Sequence, residues 1–299
     1  MRDRDSLHRF IFEQYPIRGH LVHLDAAWQA LIERRDYPEA IRDTLGEAVA
    51  ASLLLAATIK FEGVLSLQMQ GDGPVHLMLV QCTSGLGVRG LARYRDEAMG
   101  AGRIGEMIGA GNLTVTLETD EGAQRYQGVV PIAGERLADS LQVYFENSEQ
   151  LPTRLWLHAD AQGASGMLLQ KLPGNESSPP ADPAAIEDAW RRVQLVAATL
   201  TDEELRTLSD AEILHRLFNE DDVRLFEASP VYFRCRCSRE RVAGMLQGLG
   251  ESETRSVLKE RGDVEVRCDF CNRAYVFDAV DVAQLFQSNL TGDGGTTVH

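Results

Sequence analysis

The sequence predicts an α+β fold in three parts: an N-terminal mixed domain at residues 1–174, a helical linker at residues 175–230 and a small C-terminal domain at residues 231–299. Three observations predict this organisation. Strand-like alternation recurs through the first part with few helices between the strands, which favours a largely antiparallel sheet with packed helices over a doubly wound sheet. A stretch rich in Pro, Ser and Gly at residues 174–183 is followed by helical periodicity. Four of the five cysteines then lie in two close pairs, which indicates that the last part binds zinc.

The first part contains one apolar helical pattern among several strands. Two hairpin strands are predicted at residues 65–70 and 75–80, and further strands at 113–118, 125–132 and 154–158. The helix is expected to open near Asp36 and Pro38, with a buried face formed by Ile41, Leu45, Ala48, Val49, Ser52, Leu53 and Ala56. Its least polar run, residues 48–59, is shorter than the roughly 20 residues that span a bilayer, so a buried helix is predicted.

The linker has the pattern of three amphipathic helices. Capping boxes at residues 201–204 and 209–212 each predict a helix start. This segment holds five arginines against 13 acidic residues, a net charge of −8 out of −15 for the whole chain. Its apolar face must be buried either on the first domain or on a partner, and both remain open from the sequence. That face comprises Ile186, Trp190, Val193, Ala197 and Leu200.

Composition limits the classes of partner. The 299 residues carry 30 Lys and Arg against 45 Asp and Glu, with 44% hydrophobic residues, as in a globular protein. This acidity makes nucleic acid and membrane surfaces poor candidates. The charged N-terminus has no apolar stretch typical of a secretory signal, so the predicted location is cytoplasmic. Cysteines in such a reducing compartment are expected to be thiols or metal ligands.

The cysteine spacing predicts a tetrahedral zinc site. Cys235 and Cys237 form one pair, 30 residues intervene, and Cys268 and Cys271 form the other. Two tight pairs of soft sulfur ligands suit Zn²⁺. A domain of this size commonly needs a metal for stability, and structural zinc contributes roughly 10–16 kcal/mol, so loss of the metal should unfold it.

The surroundings of the cysteines also suggest redox sensitivity. Six arginines lie close in sequence, and nearby cations favour the thiolate that oxidants attack. Each pair can close a disulfide once the metal leaves, and the one-residue-spaced ring is expected to be strained and readily reduced. A reversible switch follows, with a folded zinc-bound reduced state and an unfolded oxidised state. A permanently structural zinc ribbon remains the alternative. The arginines are Arg234, Arg236, Arg239, Arg241, Arg267 and Arg273.

The cysteine motif, with CSRER at residues 237–241, resembles that of the 33 kDa chaperonin family of redox-regulated bacterial heat-shock holdases. The resemblance extends nearly from end to end. Val242 stands where some members have another cysteine, Ser165 stands where glycine is common, and a Gly- and Thr-rich tail follows Asn289, but the four cysteines are unaffected. The other matching motifs, in the same order, are QGDGP at 70–74, RYQGVV at 125–130, SEQLPTR at 148–154 and GMLLQ at 166–170.

This resemblance implies an ATP-independent chaperone that is not an enzyme. One zinc ion per chain would be held by the four cysteines in the reduced, inactive form. Oxidation, usually with heat, would join Cys235 to Cys237 and Cys268 to Cys271, release zinc and destabilise the linker. Activated chains would form homodimers and bind unfolding client proteins.

Other signals point to structure rather than to a second site. Residues 85–90 match the glycine pattern of dinucleotide sites, but a strand follows instead of a helix start, so a glycine-rich connection is predicted. His20 and His23 lie beside Asp25, yet on a strand their side chains point to opposite faces, which favours a structural role. Cys82 is expected to be a small buried hydrophobic residue.

Two other functions compete with a holdase. A thiol-disulfide oxidoreductase would use Cys268 and Cys271, but strands rather than a helix start are predicted on both sides of that pair. A zinc-ribbon nucleic-acid factor would need a basic surface, whereas residues 231–299 carry a net charge of −1.

Overall fold

A computed structural model of the chain describes residues 4–95, 103–119, 125–173 and 182–287. The chain forms two compact units, Met1–Arg234 and Cys235–His299. Most of the predicted break at 174–183 and the tail after Asn289 lie outside the described residues. None of the described helices is long and apolar enough to cross a membrane.

Within its described residues, the first unit contains two antiparallel sheets, apart from one short parallel pair. The strands are β1 (Ser6–Phe12), β2 (Ile17–Leu24), β3 (Gly63–Gly71), β4 (Val75–Thr83), β5 (Gly87–Tyr94), β6 (Gly111–Thr119), β7 (Arg125–Pro131), β8 (Thr153–Ala159), β9 (Ala164–Lys171), β10 (Val223–Leu225), β11 (Ser229–Pro230) and β12 (Tyr232–Phe233). Sheet 1 has the order β10-β1-β2-β9-β8, with β11 also paired to β1, and sheet 2 has the order β12-β5-β4-β3-β6-β7, in which β12 and β5 are parallel.

The helices of this unit fall into a core group and a linker group. The core group is α1 (Ala26–Ile32), α2 (Glu39–Thr58), α3 (Ile104–Ile108) and α4 (Leu137–Tyr144), and the linker group is α5 (Pro183–Ala197), α6 (Asp202–Thr207) and α7 (Asp210–Phe218). A π-helical turn at Phe145–Glu149 follows α4.

Helix α2 is the centre of the first core. Its predicted buried face is confirmed, and burial extends nearly around the helix because α2 packs against strands of both sheets. Glycine inside a helix is normally unfavourable. At Gly46, however, a Cβ atom would lie 2.4 Å from the Cβ of Ala159, so close packing on β8 requires the glycine.

The strand predictions of the first part are also confirmed. The strands predicted at 65–70 and 75–80 are the hairpin β3–β4, and those at 113–118, 125–132 and 154–158 correspond to β6, β7 and β8. A strand and not a helix follows the glycine pattern, as predicted, but the connection is shorter than residues 85–90 because β5 already begins at Gly87.

Sheet 1 is covered on both faces. Alternate residues of its strands point to opposite sides. Val22 of β2 and Leu168 of β9 join the core around α2, whereas Leu21 and Leu169 join a second apolar cluster on the other face. Linker helices supply the rest of that second cluster, chiefly Trp190, Val193, Ile213, Leu217 and Phe218.

The three predicted linker helices are confirmed. Both capping boxes form: Thr201 and Ser209 accept hydrogen bonds from the amides of Glu204 and Glu212, and α6 and α7 begin at the next residues. The open choice for the apolar face is settled in favour of the first unit, where Trp190, Val193, Ala197 and Leu200 join the cluster on sheet 1. Ile186, also predicted on this face, is only half-buried. The division into core, linker and C-terminal domain remains a prediction, since residues 182–234 belong to the same compact unit as the core.

The second unit is small. It contains α8 (Arg239–Leu249), α9 (Glu251–Arg261), β13 (Val264–Arg267), β14 (Ala274–Phe277) and α10 (Ala279–Gln287), and β13 and β14 form an antiparallel hairpin. Its buried cluster is formed by Val242, Leu246, Val264, Tyr275, Phe277 and Val282.

Candidate metal centre

The four predicted ligands lie together. Their sulfur atoms are all within 4.8 Å of one another. Cys235 Sγ lies 3.6 Å from Cys268 Sγ, and Cys237 Sγ lies 3.4 Å from Cys271 Sγ. Each short distance therefore joins one early cysteine to one late cysteine, so the cluster connects the start of the unit to the turn between β13 and β14.

Local structure positions the first pair immediately before a helix. Ser238 caps α8 by accepting a hydrogen bond from the Arg241 amide at 3.3 Å. The Arg241 guanidinium donates to the Arg236 carbonyl at 2.8 Å, which fixes the backbone between Cys235 and Cys237. A short irregular segment held in this way can aim both sulfur atoms to one side.

A tight turn between β13 and β14 positions the second pair. The Asn272 amide donates to the Cys268 carbonyl at 2.8 Å, and the Cys268 amide donates to the Arg273 carbonyl at 3.0 Å. Asn272 has φ 53°, a left-handed conformation that asparagine tolerates better than most residues. The turn lies between strands, as predicted, and not at the helix start typical of redox Cys-x-x-Cys enzymes.

Tyr275 is a contact that sequence reasoning missed. Its hydroxyl donates a hydrogen bond to Cys237 Sγ at 3.1 Å. Burial alone would raise the pKa of Cys237, but hydrogen bonds from Tyr275 and the other cysteines lower it below its ordinary value, whereas burial raises the pKa of Cys235. Nothing in the alternation of β14 marks this tyrosine as different from an ordinary core residue.

The nearby arginines make mainly structural contacts. Arg239 donates to the Val276 carbonyl at 2.8 Å and to Asp281 at 2.7 Å, and its guanidinium lies 4.2 Å from the centre of the Phe277 ring. Arg267 pairs with Glu265 at 2.5 Å. Arg239 and Arg267 thus have partners away from the sulfur atoms, whereas the pKa of Arg273 is raised by its hydrogen bond with Tyr275 and by the nearby Cys237 and Cys271. The effect of the arginines on the thiolates stays a prediction.

The donor set fits a soft, tetrahedral metal ion. Zinc–sulfur bonds of about 2.3 Å in a tetrahedron place sulfur atoms about 3.8 Å apart, close to the separations of 3.4 and 3.6 Å found here. Within the described part of the chain, these four cysteines are the one group with metal-binding geometry. His20, His23 and Asp25 do not form such a group there.

The fifth cysteine is outside the cluster. Cys82 of β4 is fully buried in the core of the first unit, as predicted, and burial raises its pKa to about 12. A thiol in that environment stays protonated and is a poor nucleophile.

Comparison of the sequence with protein families and curated proteins shows one consistent relationship. The profile of the family described as Hsp33 protein matches residues 5–278. The "33 kDa chaperonin" of Nitrosococcus oceani is 48% identical over 299 residues, covering 100% of both chains, and that of Methylobacillus flagellatus is 46% identical over 300 residues, covering 100% of both.

A solved structure has the same fold. The crystal structure of the 33 kDa chaperonin from Thermotoga maritima superposes with a TM-score of 0.79, covering 96% of this chain and 99% of that one. At 21% sequence identity, this comparison supports the fold alone.

Proposed function

The chain belongs to the Hsp33 protein family, whose relatives are named chaperonins, and from that premise we propose that it is a redox-regulated, ATP-independent holdase. It binds unfolding proteins without turnover during oxidative and heat stress. The active form is a homodimer, and the protein acts in the cytoplasm. The observation that carries the proposal is the four-cysteine cluster, which lies beside the small apolar core of the second unit.

In the reduced form, Cys235, Cys237, Cys268 and Cys271 hold one zinc ion as thiolates. Bound zinc would supply a cross-link between the segment before α8 and the turn between β13 and β14, in a unit whose apolar cluster is small. Tyr275 orients Cys237 through its hydrogen bond, as outer groups around metal ligands commonly do.

Oxidation removes the ligands. Cys235 pairs with Cys237, and Cys268 with Cys271. Each disulfide forms as two thiolates lose two electrons to an oxidant such as peroxide, which takes up two protons from solvent and leaves as two water molecules. The short distances in the reduced cluster run between the pairs, so the new bonds require local rearrangement. That rearrangement and the loss of the metal destabilise the second unit.

Release of the linker then provides the surface for clients. The apolar sides of α5 and α7 cover sheet 1 in the described state. When they detach, both this side and the exposed strands offer apolar area for an unfolding chain. The acidic residues of the linker keep the open form in solution.

The test combines three measurements on one sample. During peroxide treatment with mild heating, zinc release, free-thiol count and aggregation of a heat-denatured client are followed together. We expect loss of four thiols and of the metal before aggregation is suppressed, and the same result for Cys82→Ser. Zinc that stays bound, or leaves without any gain of holding activity, would reduce the site to a structural zinc ribbon.

A further inference from the structure

A buried charged cluster lies in the first unit, apart from the cysteines. Asp210, the first residue of α7, reaches between two strands of sheet 1. His8 Nδ1 on β1 lies 2.6 Å from Asp210 Oδ2, and His23 Nε2 on β2 lies 2.7 Å from Asp210 Oδ1. Only 6% of the Asp210 side chain is exposed. Both carboxylate oxygens are thus engaged by the core while the residue itself belongs to the linker.

The carboxylate is ionised in this position. Burial alone would raise the pKa of Asp210, but hydrogen bonds from His23 and His8 outweigh it and lower the pKa to about 2. A buried ionised group is strongly destabilising unless it is paired and hydrogen-bonded. Docking of α7 on sheet 1 therefore depends on both histidines remaining in contact with Asp210.

These charged contacts restrict the helix more than the apolar packing around them does. Ile213, Leu217 and Phe218 of α7 pack on sheet 1, but burial of apolar area is non-directional and tolerates small shifts. The two short distances to one carboxylate, 2.6 and 2.7 Å from nitrogens on two adjacent strands, are met together in a single position of the helix. Loss of that position weakens the docking of the whole helix.

The neighbouring helix offers a matched comparison. Asp202 is likewise the first residue of its helix, α6, after a capping threonine. Its side chain is 60% exposed, and its nearest cationic atoms, on Arg136 and His158, are 3.7 and 3.9 Å away. Two aspartates with the same position in their helices thus differ in burial and in the strength of their contacts.

We propose that Asp210, held between His8 and His23, is the latch that keeps the linker on sheet 1 and determines how readily it detaches. Asp210 is a positioning residue and touches neither the metal site nor a client. The role of the latch in activation rests on the proposed holdase function. The docking itself is independent of that function.

The direct test is amide hydrogen exchange on the full-length, reduced and zinc-loaded protein. Asp210→Asn keeps the size of the side chain but removes its charge, and Asp202→Asn makes the same change at the exposed position. We expect exchange in α6 and α7 to rise about tenfold or more for Asp210→Asn, as for loss of a charged hydrogen bond, and by less than about twofold for Asp202→Asn. Equal exchange in the two variants would overturn the latch.

A milder variant, His23→Gln, tests the same contact if Asp210→Asn does not fold. His23→Gln retains a donor but loses the imidazole, and we expect an increase in linker exchange of roughly severalfold. In the Asp210→Asn background, the same substitution should have almost no further effect, because the contact is already weakened. An equal effect of His23→Gln in both backgrounds, or none in the parent protein, contradicts the proposal.

Holding activity separates the latch from the proposed function. Reduced, zinc-loaded Asp210→Asn should suppress client aggregation without peroxide, and Asp202→Asn should not. If linker exchange rises in Asp210→Asn but holding activity does not appear, the latch stands and linker release is not what activates the protein. If exchange does not rise, the latch itself is wrong, whatever the peroxide assay shows for the parent protein.

Discussion

The two units are stabilised in different ways. In the first, α2 and the linker helices cover both faces of sheet 1, and large side chains such as Trp28 and Phe10 are completely buried. In the second, a few apolar residues surround a hairpin, and four sulfur atoms lie beside them. Apolar burial responds little to oxidants, whereas thiolates respond directly. The difference supports the proposed function, in which a lasting core is joined to a part whose folding depends on redox state.

The linker is held both by apolar packing and by a charged contact. Its apolar face packs as in an ordinary core, but Asp210 adds a contact that a single substitution can remove. The comparison therefore predicts four effects of decreasing size.

Loss of a metal ligand should affect the second unit most. Cys271→Ser removes a buried ligand, and we expect zinc binding to collapse and the second unit to unfold, since structural zinc contributes on the order of 10 kcal/mol. Zinc content and hydrogen exchange of residues 235–287 measure this. The control, Cys82→Ser, should retain zinc and destabilise only the first unit, by about 1–3 kcal/mol. A Cys271→Ser variant that keeps its protection would mean that the apolar cluster suffices.

Truncation of an aromatic anchor should loosen the linker while the core around α2 persists. Phe218 packs edge-on against Phe12, with ring centres 5.1 Å apart. Phe218→Ala should destabilise linker docking by about 3–5 kcal/mol, as for other buried aromatic residues. Leu195→Ala, on the same linker but 66% exposed, should change it by about 0.5 kcal/mol or less. Limited proteolysis between residues 182 and 222 compares them, and equal sensitivity would show that the apolar face is not what holds the linker.

The pH dependence of the first unit should reflect Glu47. Burial chiefly raises the pKa of Glu47 to about 7, with opposing effects of Arg136 and Asp202. The folded state therefore binds a proton more tightly than the unfolded state, so stability is highest below pH 4.5 and falls as the pH rises towards 7. Glu47→Gln should remove this loss and be roughly 2 kcal/mol more stable than the parent at pH 8. Denaturant unfolding at pH 5 and pH 8 measures it; parallel changes in both proteins would exclude Glu47 as the cause.

The smallest effect is expected at the contact of Tyr275 with Cys237. Tyr275→Phe removes the hydroxyl and leaves the ring in the core. We expect zinc affinity to fall roughly tenfold, the lower end of the effect of outer groups around metal ligands. A competition titration with a chromogenic chelator measures it, and Tyr232→Phe in the first unit is the control. Unchanged affinity would show that the four sulfur atoms alone determine metal retention.

Sequence periodicity predicted the regular parts of the fold well. The helix after Pro38, the hairpin β3–β4 and the capping boxes at Thr201 and Ser209 are local features, so a single stretch of sequence contains the whole signal. The cysteine cluster was predictable for the same reason, because two short motifs specify four ligands.

Contacts between distant segments could not be predicted in this way. His8 and Asp210 are far apart in the sequence but in contact in the fold. His23 is near His20 and Asp25 in the sequence, yet its side chain contacts Asp210. Their pairing depends on how the linker crosses sheet 1, which no local pattern encodes. His20 instead stays neutral inside the sheet, where burial and the nearby Arg18 and Arg9 lower its pKa to about 3.

The short strands that follow the linker helices have a mechanical consequence. β10 and β11 pair with β1, and β12 pairs with β5, so the chain is hydrogen-bonded to both sheets just before Cys235. A force applied from the C-terminal side meets these pairs one after another, β12 first and α7 only after β10. Each pair is two or three residues long and should yield at low load. In the proposed function, detachment that begins at the C-terminal side would therefore break these short pairs in that order before it reaches the linker helices.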